Sequence, residues 1–189
     1  MFAHPVRAQN LVTNGGFEAG TFPNADGWTI VSPGGDTYVY ASAPRSGIRS
    51  ASLGEVGTTG SISQTISGLL PGRNYTLNFW LSAGGGTPNS FVASFAGTQL
   101  LSITNTSGFA YTKYTYTVTA TGTSAALLFE GQHDPAFYRL DDVELYFINP
   151  SAADTQTSLQ DLADQLRGVY RLQNALVTNG HQKIGRAHV

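Results

Sequence analysis

Between Asn10 and Phe147 the chain is written in short runs of alternating apolar and polar residues, each ended by a cluster of Gly, Pro, Asn or Asp. This pattern constrains the fold more than any other feature. A period of two puts successive side chains on opposite faces of a strand, whereas a buried helix needs an apolar stripe at a spacing of three and four. The predicted strands are Leu11–Glu18, Trp28–Val31, Thr37–Ala41, Ser50–Leu53, Gly60–Ser67, Tyr75–Ser82, Phe91–Phe95, Gln99–Ile103, Tyr111–Ala120, Ala125–Glu130 and Tyr138–Phe147. The 22 glycines and the charged fraction of only 12% agree with many short strands joined by turns. The expectation is an all-β, two-sheet antiparallel β-sandwich.

Two segments show the logic best. Tyr75, Leu77, Phe79 and Leu81 share one face of their strand, and Asn78 and Trp80 share the other. Tyr114, Tyr116 and Val118 alternate with threonines, as in a strand buried on one side and wet on the other. Phe17, Phe79, Phe129 and Trp28 are expected in the core, where large aromatics bury most area.

Composition excludes several functions. A formal net charge of -2 argues against a nucleic-acid partner. No apolar run approaches the roughly 20 residues that a membrane helix needs. There is no cysteine, and the four histidines, His4, His133, His181 and His188, stand in unlike segments, so a zinc site is not expected. No G-x-S-x-G elbow, H-E-x-x-H helix or P-loop is present, and Gly84-Gly85-Gly86 precedes a strand rather than a helix. Asp134 with Glu55 or Glu130 could supply the two carboxylates of a glycosidase, but acids are few and the chain is expected to be non-catalytic.

The segments Asn10-Leu11-Val12-Thr13-Asn14-Gly15-Gly16-Phe17-Glu18, then Trp28, then Ser61–Ile66, then Leu140-Asp141-Asp142-Val143-Glu144-Leu145 resemble, in this order, carbohydrate-binding modules of the galactose-binding-like superfamily. The resemblance spans Asn10 to about Phe147 and implies a jelly-roll sandwich that holds a sugar. It also implies a structural Ca²⁺. If the first and last strands are neighbours, Glu18 and an Asp of the 141–142 pair face one another, and a cation between them relieves their repulsion. Glu18 and Asp142 are the metal candidates, with added carbonyls expected from Ser46–Ser50; the alternative is that both carboxylates accept ordinary hydrogen bonds from loop amides.

A sugar is held by planar hydrogen-bonding groups on its hydroxyls and an aromatic ring on its C–H face. The stretch Gln132-His133-Asp134-Pro135-Ala136-Phe137-Tyr138-Arg139 is read as an exposed loop offering both, and Gln132, His133, Asp134, Phe137 and Tyr138 are its ligand candidates. Asn89 and Asn78 are expected to add polar contacts, and Trp80 or Tyr111 to stack.

The two ends read differently. Residues 1–9 read as the remnant of a secretory leader or a disordered start, which places the protein outside a bacterial cell or on its surface. Residues 150–182 form a linker and an amphipathic helix, with Leu159, Leu162, Leu166 and Val169 on one stripe and Asp154 as N-cap. This stretch resembles the segment before the outer-membrane barrel of bacterial autotransporter-like proteins, which implies a barrel beyond it; the alternative is a helix that docks on the sandwich or pairs with another chain. Residues 183–189 read as a translated sequencing adapter. Two functions are compatible with these readings: a sugar-binding module, which predicts a groove, or a displayed adhesion or structural domain with no discrete sugar pocket, which predicts a flat face.

Overall fold

The computed structural model describes residues 9–148 and Leu166. The chain divides into a unit over Met1–Ile148 and a second over Asn149–Val189. The described strands all lie in the first unit. The helix expected over 154–176 lies outside the described residues, Leu166 apart.

Ten strands form two antiparallel sheets. They are β1 (Thr29–Val31), β2 (Thr37–Tyr40), β3 (Ser50–Leu53), β4 (Gly60–Ser67), β5 (Asn74–Ala83), β6 (Asn89–Phe95), β7 (Thr98–Thr104), β8 (Phe109–Thr119), β9 (Ser124–His133) and β10 (Tyr138–Phe147). One sheet has the order β1-β4-β9-β6-β7 and the other β2-β3-β10-β5-β8. The chain crosses between sheets repeatedly, the jelly-roll way of covering one apolar face with another.

The alternation holds in detail. Along β5 the side chains of Tyr75, Leu77, Phe79 and Leu81 are fully buried while Trp80 is only partly covered. Phe79 sits at the centre, stacked on Tyr114 at 5.4 Å between ring centroids and edge-on to Phe129 at 5.2 Å. Trp28 packs on Phe17 at 5.0 Å, and all four expected core aromatics are buried.

The predicted first strand, Leu11–Glu18, is not a strand. Asn14 and Phe17 take positive φ values of 51° and 60°, which ends any extended run and folds the segment into successive turns. It nevertheless lies beside β10, as expected: Leu11 N–H donates to Leu145 O at 2.9 Å and Val143 N–H to Gly15 O at 2.9 Å. A Cβ on Gly15 would stand 1.9 Å from the Val143 carbonyl oxygen, so only glycine allows this approach. Gln64 of β4 completes the anchor, accepting from Thr13 N–H at 2.8 Å and donating to the carbonyls of Thr13 and Gly27. Trp28 Nε1–H donates to Asn14 O at 3.0 Å.

Candidate functional site

The outer face of the β2-β3-β10-β5-β8 sheet carries the chemistry. Its register sets Tyr38, Ser52, Arg139 and Ser82 in one row across four strands. The adjacent row begins with Tyr40 beside Ser50 and continues with Asp141, Trp80 and Lys113. Ser50 and Ser52 are fully buried, and Ser82 is the serine of these rows that borders open space. A cavity of about 420 Å³ opens there, lined by Ser82, Gly84, Phe109, Tyr111, Phe137 and Arg139 among others. A second, of about 520 Å³, is lined by Phe22, Tyr38 and Tyr40. The Tyr38 and Phe137 rings meet edge to face at 5.8 Å and link the two hollows.

Phe137 owes its place to a glycine. A Cβ on Gly54 would stand 2.3 Å from the Phe137 ring, so the bare backbone of 54 is the surface on which the ring lies. Arg139 reaches over the same ring, its guanidinium carbon 5.3 Å from the centroid. Tyr40 and Phe22 are about half exposed, at 50% and 57%, and their rings meet at 5.4 Å. The result is a run of aromatic faces ending in a guanidinium, the combination that binds a sugar ring and its hydroxyls.

The loop between β2 and β3 crosses part of this face as a strap. Tyr111 O–H donates to Ala43 O at 2.9 Å, and Arg45 lies over the Trp80 ring with its guanidinium carbon 4.0 Å from the centroid. Arg45 and Ser46 backbone N–H groups donate to one oxygen of Asp141. Asp141 is fully buried; burial pushes its carboxyl up to about 6 against the lowering by these amides. Burial likewise pushes the Tyr111 phenol up.

The strap also holds both metal candidates. Glu18 Oε1 accepts from the Ile48 and Arg49 amides at 3.0 and 3.1 Å. Asp142 accepts from the Arg45 guanidinium and the Ser46 hydroxyl, each at 2.6 Å. Glu18 and Asp142 thus both bond to one loop, but N–H and O–H donors occupy the oxygens a cation would use. Among the described residues no three His, Asp or Glu side chains gather as a metal cage. Calcium here would need Arg45 to leave Asp142 and loop carbonyls to turn inward.

The expected ligand loop is corrected. Gln132 and His133 end β9, Tyr138 and Arg139 begin β10, and only residues 134–137 form the turn. His133 and Tyr138 therefore point between the sheets, and both are fully buried with Asn89 beside them. Tyr138 O–H donates to Asn89 Oδ1 at 2.5 Å, and His133 Nε2–H donates to Gly84 O at 2.9 Å. Burial pushes the Tyr138 phenol up to about 12, which keeps it a neutral donor. These three fasten the end of the sandwich and do not line the groove. Gln132 donates to Asp134, which also accepts from Gly57 N–H and whose carboxyl these two bonds lower. Asn78 is held by Thr115 and Glu144. Of the expected ligand residues, Phe137 and Tyr111 line the groove, and Trp80 shares its face beneath Arg45.

Phe22, Tyr38 and Tyr40 were missed from sequence. Tyr38 and Tyr40 were legible in Thr37-Tyr38-Val39-Tyr40, where Thr37 and Val39 are buried and both tyrosines face out. Phe22 sits in a turn, and no periodicity announces it.

The family model described as "Carbohydrate binding domain" matches residues 9–152. Among solved structures, TmCBM61, determined with β-1,4-galactotriose, is similar with a TM-score of 0.59 at 17% identity, over 75% of this chain and 100% of that one. The enzymatically active domain of tailspike protein 4 of bacteriophage CBA120 has a TM-score of 0.54 at 20% identity, over 74% of this chain and 21% of that one. The C-terminal family 22 carbohydrate binding module of Clostridium thermocellum Xyn10B has a TM-score of 0.50 at 12% identity, over 70% and 90%. No match was found among curated protein sequences. Likeness at such identities shows the jelly-roll sandwich alone. The family match extends over more than half of the chain, and the chain belongs to the family of carbohydrate-binding domains.

Proposed function

We propose that this domain holds its glycan, without transforming it, on the outer face of the β2-β3-β10-β5-β8 sheet, with Phe137, Tyr38 and Tyr40 as stacking faces and Arg139, Tyr111 and Ser82 as hydrogen-bonding groups. The observation that carries this reading is the pair of linked hollows with aromatic walls and a guanidinium lining one of them. The groove favours the sugar-binding reading over a displayed structural domain, for which a flat face was expected. A glycan array probed with the full chain and with Phe137→Ala tests it: binding that the variant loses upholds the reading, and a folded protein that binds nothing overturns it.

Two settings go with this reading. A structural Ca²⁺ at Glu18 and Asp142 is supported by the convergence of both carboxylates on residues 45–49; a rise in melting temperature with Ca²⁺, reversed by a chelator and absent in Glu18→Gln, is the expected result. Export and display ahead of an outer-membrane barrel is supported by the leader-like start and by the sequence of residues 154–173 alone. Fractionation of bacteria that express the natural gene tests it.

A further inference from the structure

Arg139 is a partly buried cation without an anion. Its Nη1 donates to Ser52 Oγ at 2.7 Å and lies 3.5 Å from the Ser42 carbonyl, and its guanidinium carbon lies 5.3 Å from the Phe137 ring centroid. Ser52 is fully buried, so the guanidinium is held on a fixed post. Nε and Nη2 have no hydrogen-bond partner among the described residues, where Arg45–Asp142 is the single ion pair. The nearest acid along the strand, Asp141, has both oxygens committed, one to the Arg45 and Ser46 amides and the other to its neighbour Asp142 N–H. Glu144 is taken by Asn78 and Tyr146. Lys113, on the same sheet face beside Trp80, also has no acid within ion-pair distance among the described residues. Among the residues that line the two hollows Arg139 is the one charged side chain, so the groove wall is positive in a chain whose net charge is -2.

A guanidinium removed from water wants an anion, and its fork of two parallel N–H groups matches a carboxylate in the same plane. A neutral sugar offers hydroxyls, which leave that charge uncompensated. Resting on the proposed sugar site, we infer that the groove selects an acidic glycan, one with a uronic acid whose carboxylate sits on Nε–H and Nη2–H of Arg139 while a ring C–H face lies against Phe137.

The test uses the full chain on an array that holds uronic-acid oligosaccharides, each beside its methyl ester and the corresponding neutral oligosaccharide, with affinities of any hit measured by calorimetry. The expected result is a uronate bound about tenfold or more tighter than its ester, as charge-assisted hydrogen bonds require, with the preference weakened by salt and lost in Arg139→Gln. Esters or neutral sugars bound as tightly as the acids would overturn the inference and leave the sugar site standing. Binding of none of the three classes would overturn the sugar site itself. Should Arg139→Gln fail to fold, the acid-to-ester ratio of the unaltered protein decides.

Discussion

Tyr138→Phe separates a residue that fastens the fold from one that touches the ligand. The substitution removes one oxygen and nothing else: the ring keeps its packing on Phe91 at 5.2 Å and on His133 at 5.1 Å. What is lost is the O–H bond to Asn89 Oδ1 at 2.5 Å. Asn89 keeps its other partners, donating to Gly86 O and Thr106 O and accepting from Thr106 N–H, so its carbonyl oxygen is left with one bond instead of two. A buried acceptor that loses one of two donors costs roughly 1–3 kcal/mol, and the surviving bond puts this case at the low end. For a domain of this size that lowers the melting temperature by roughly 3–6 °C. Thermal denaturation followed by circular dichroism measures it, and calorimetry with a glycan that binds the unaltered protein should give an unchanged affinity. An unchanged melting temperature together with a weakened affinity would refute the reasoning, because Tyr138 would then meet the ligand.

The same geometry fixes other outcomes. Gly54→Ala places a methyl group 2.3 Å from the Phe137 ring and should cost about 1–3 kcal/mol by overpacking while weakening glycan binding, since the stacking face moves. Gln64→Leu removes three bonds to Thr13 and Gly27 and should cost roughly 2–4 kcal/mol in urea denaturation without altering affinity. For Asp141 the folded carboxyl is raised to about 6 from 3.8, so its proton is held more tightly in the folded state. Its contribution is therefore most favourable below about 3.8 and is lost as pH rises to about 6, so Asp141→Asn should gain stability relative to the unaltered protein across that window. A melting-temperature difference that runs the opposite way with pH contradicts this. Glu55 has the other sign: burial raises its carboxyl, but bonds from the Ser32 hydroxyl and the Gly34 and Asp36 amides outweigh burial and hold it low, so its contribution fades below about 4.5 in the unaltered protein and is absent from Glu55→Gln.

The sequence motifs that carried the family resemblance turn out to be scaffold. Trp28 donates to Asn14 O, Val143 N–H to Gly15 O, and Gln64 bonds Thr13 and Gly27, which together fix the start of the chain against β4 and β10. Such backbone-to-side-chain locks demand particular residues at particular spacings, which is why they were legible. Strand identities were legible too, because burial on one face writes a period of two. The ligand loop was misplaced because residues 132–139 mix both effects: His133 and Tyr138 read as polar, yet each continues the inward alternation of β9 or β10, Tyr138 O–H meeting buried Asn89 and His133 Nε2–H the Gly84 carbonyl, while His133 Nδ1 has no partner among the described residues. Partners lie far along the chain, as Asn89 does from Tyr138 and Gly84 from His133, so nothing in the local sequence signals where these groups bond. Phe22 and Arg139 meet the groove only through the crossing of sheets.

The most direct test of the central claim is the crystal structure of the full chain with an oligosaccharide found to bind it. The account predicts a sugar ring against Phe137 with oxygens at Arg139, in the hollow that Tyr111 and Ser82 also line. A sugar seated instead in the separate cavity of about 300 Å³ between β7 and β8, lined by Phe95, Leu100 and Val118, with the Phe137 hollow empty, would contradict it.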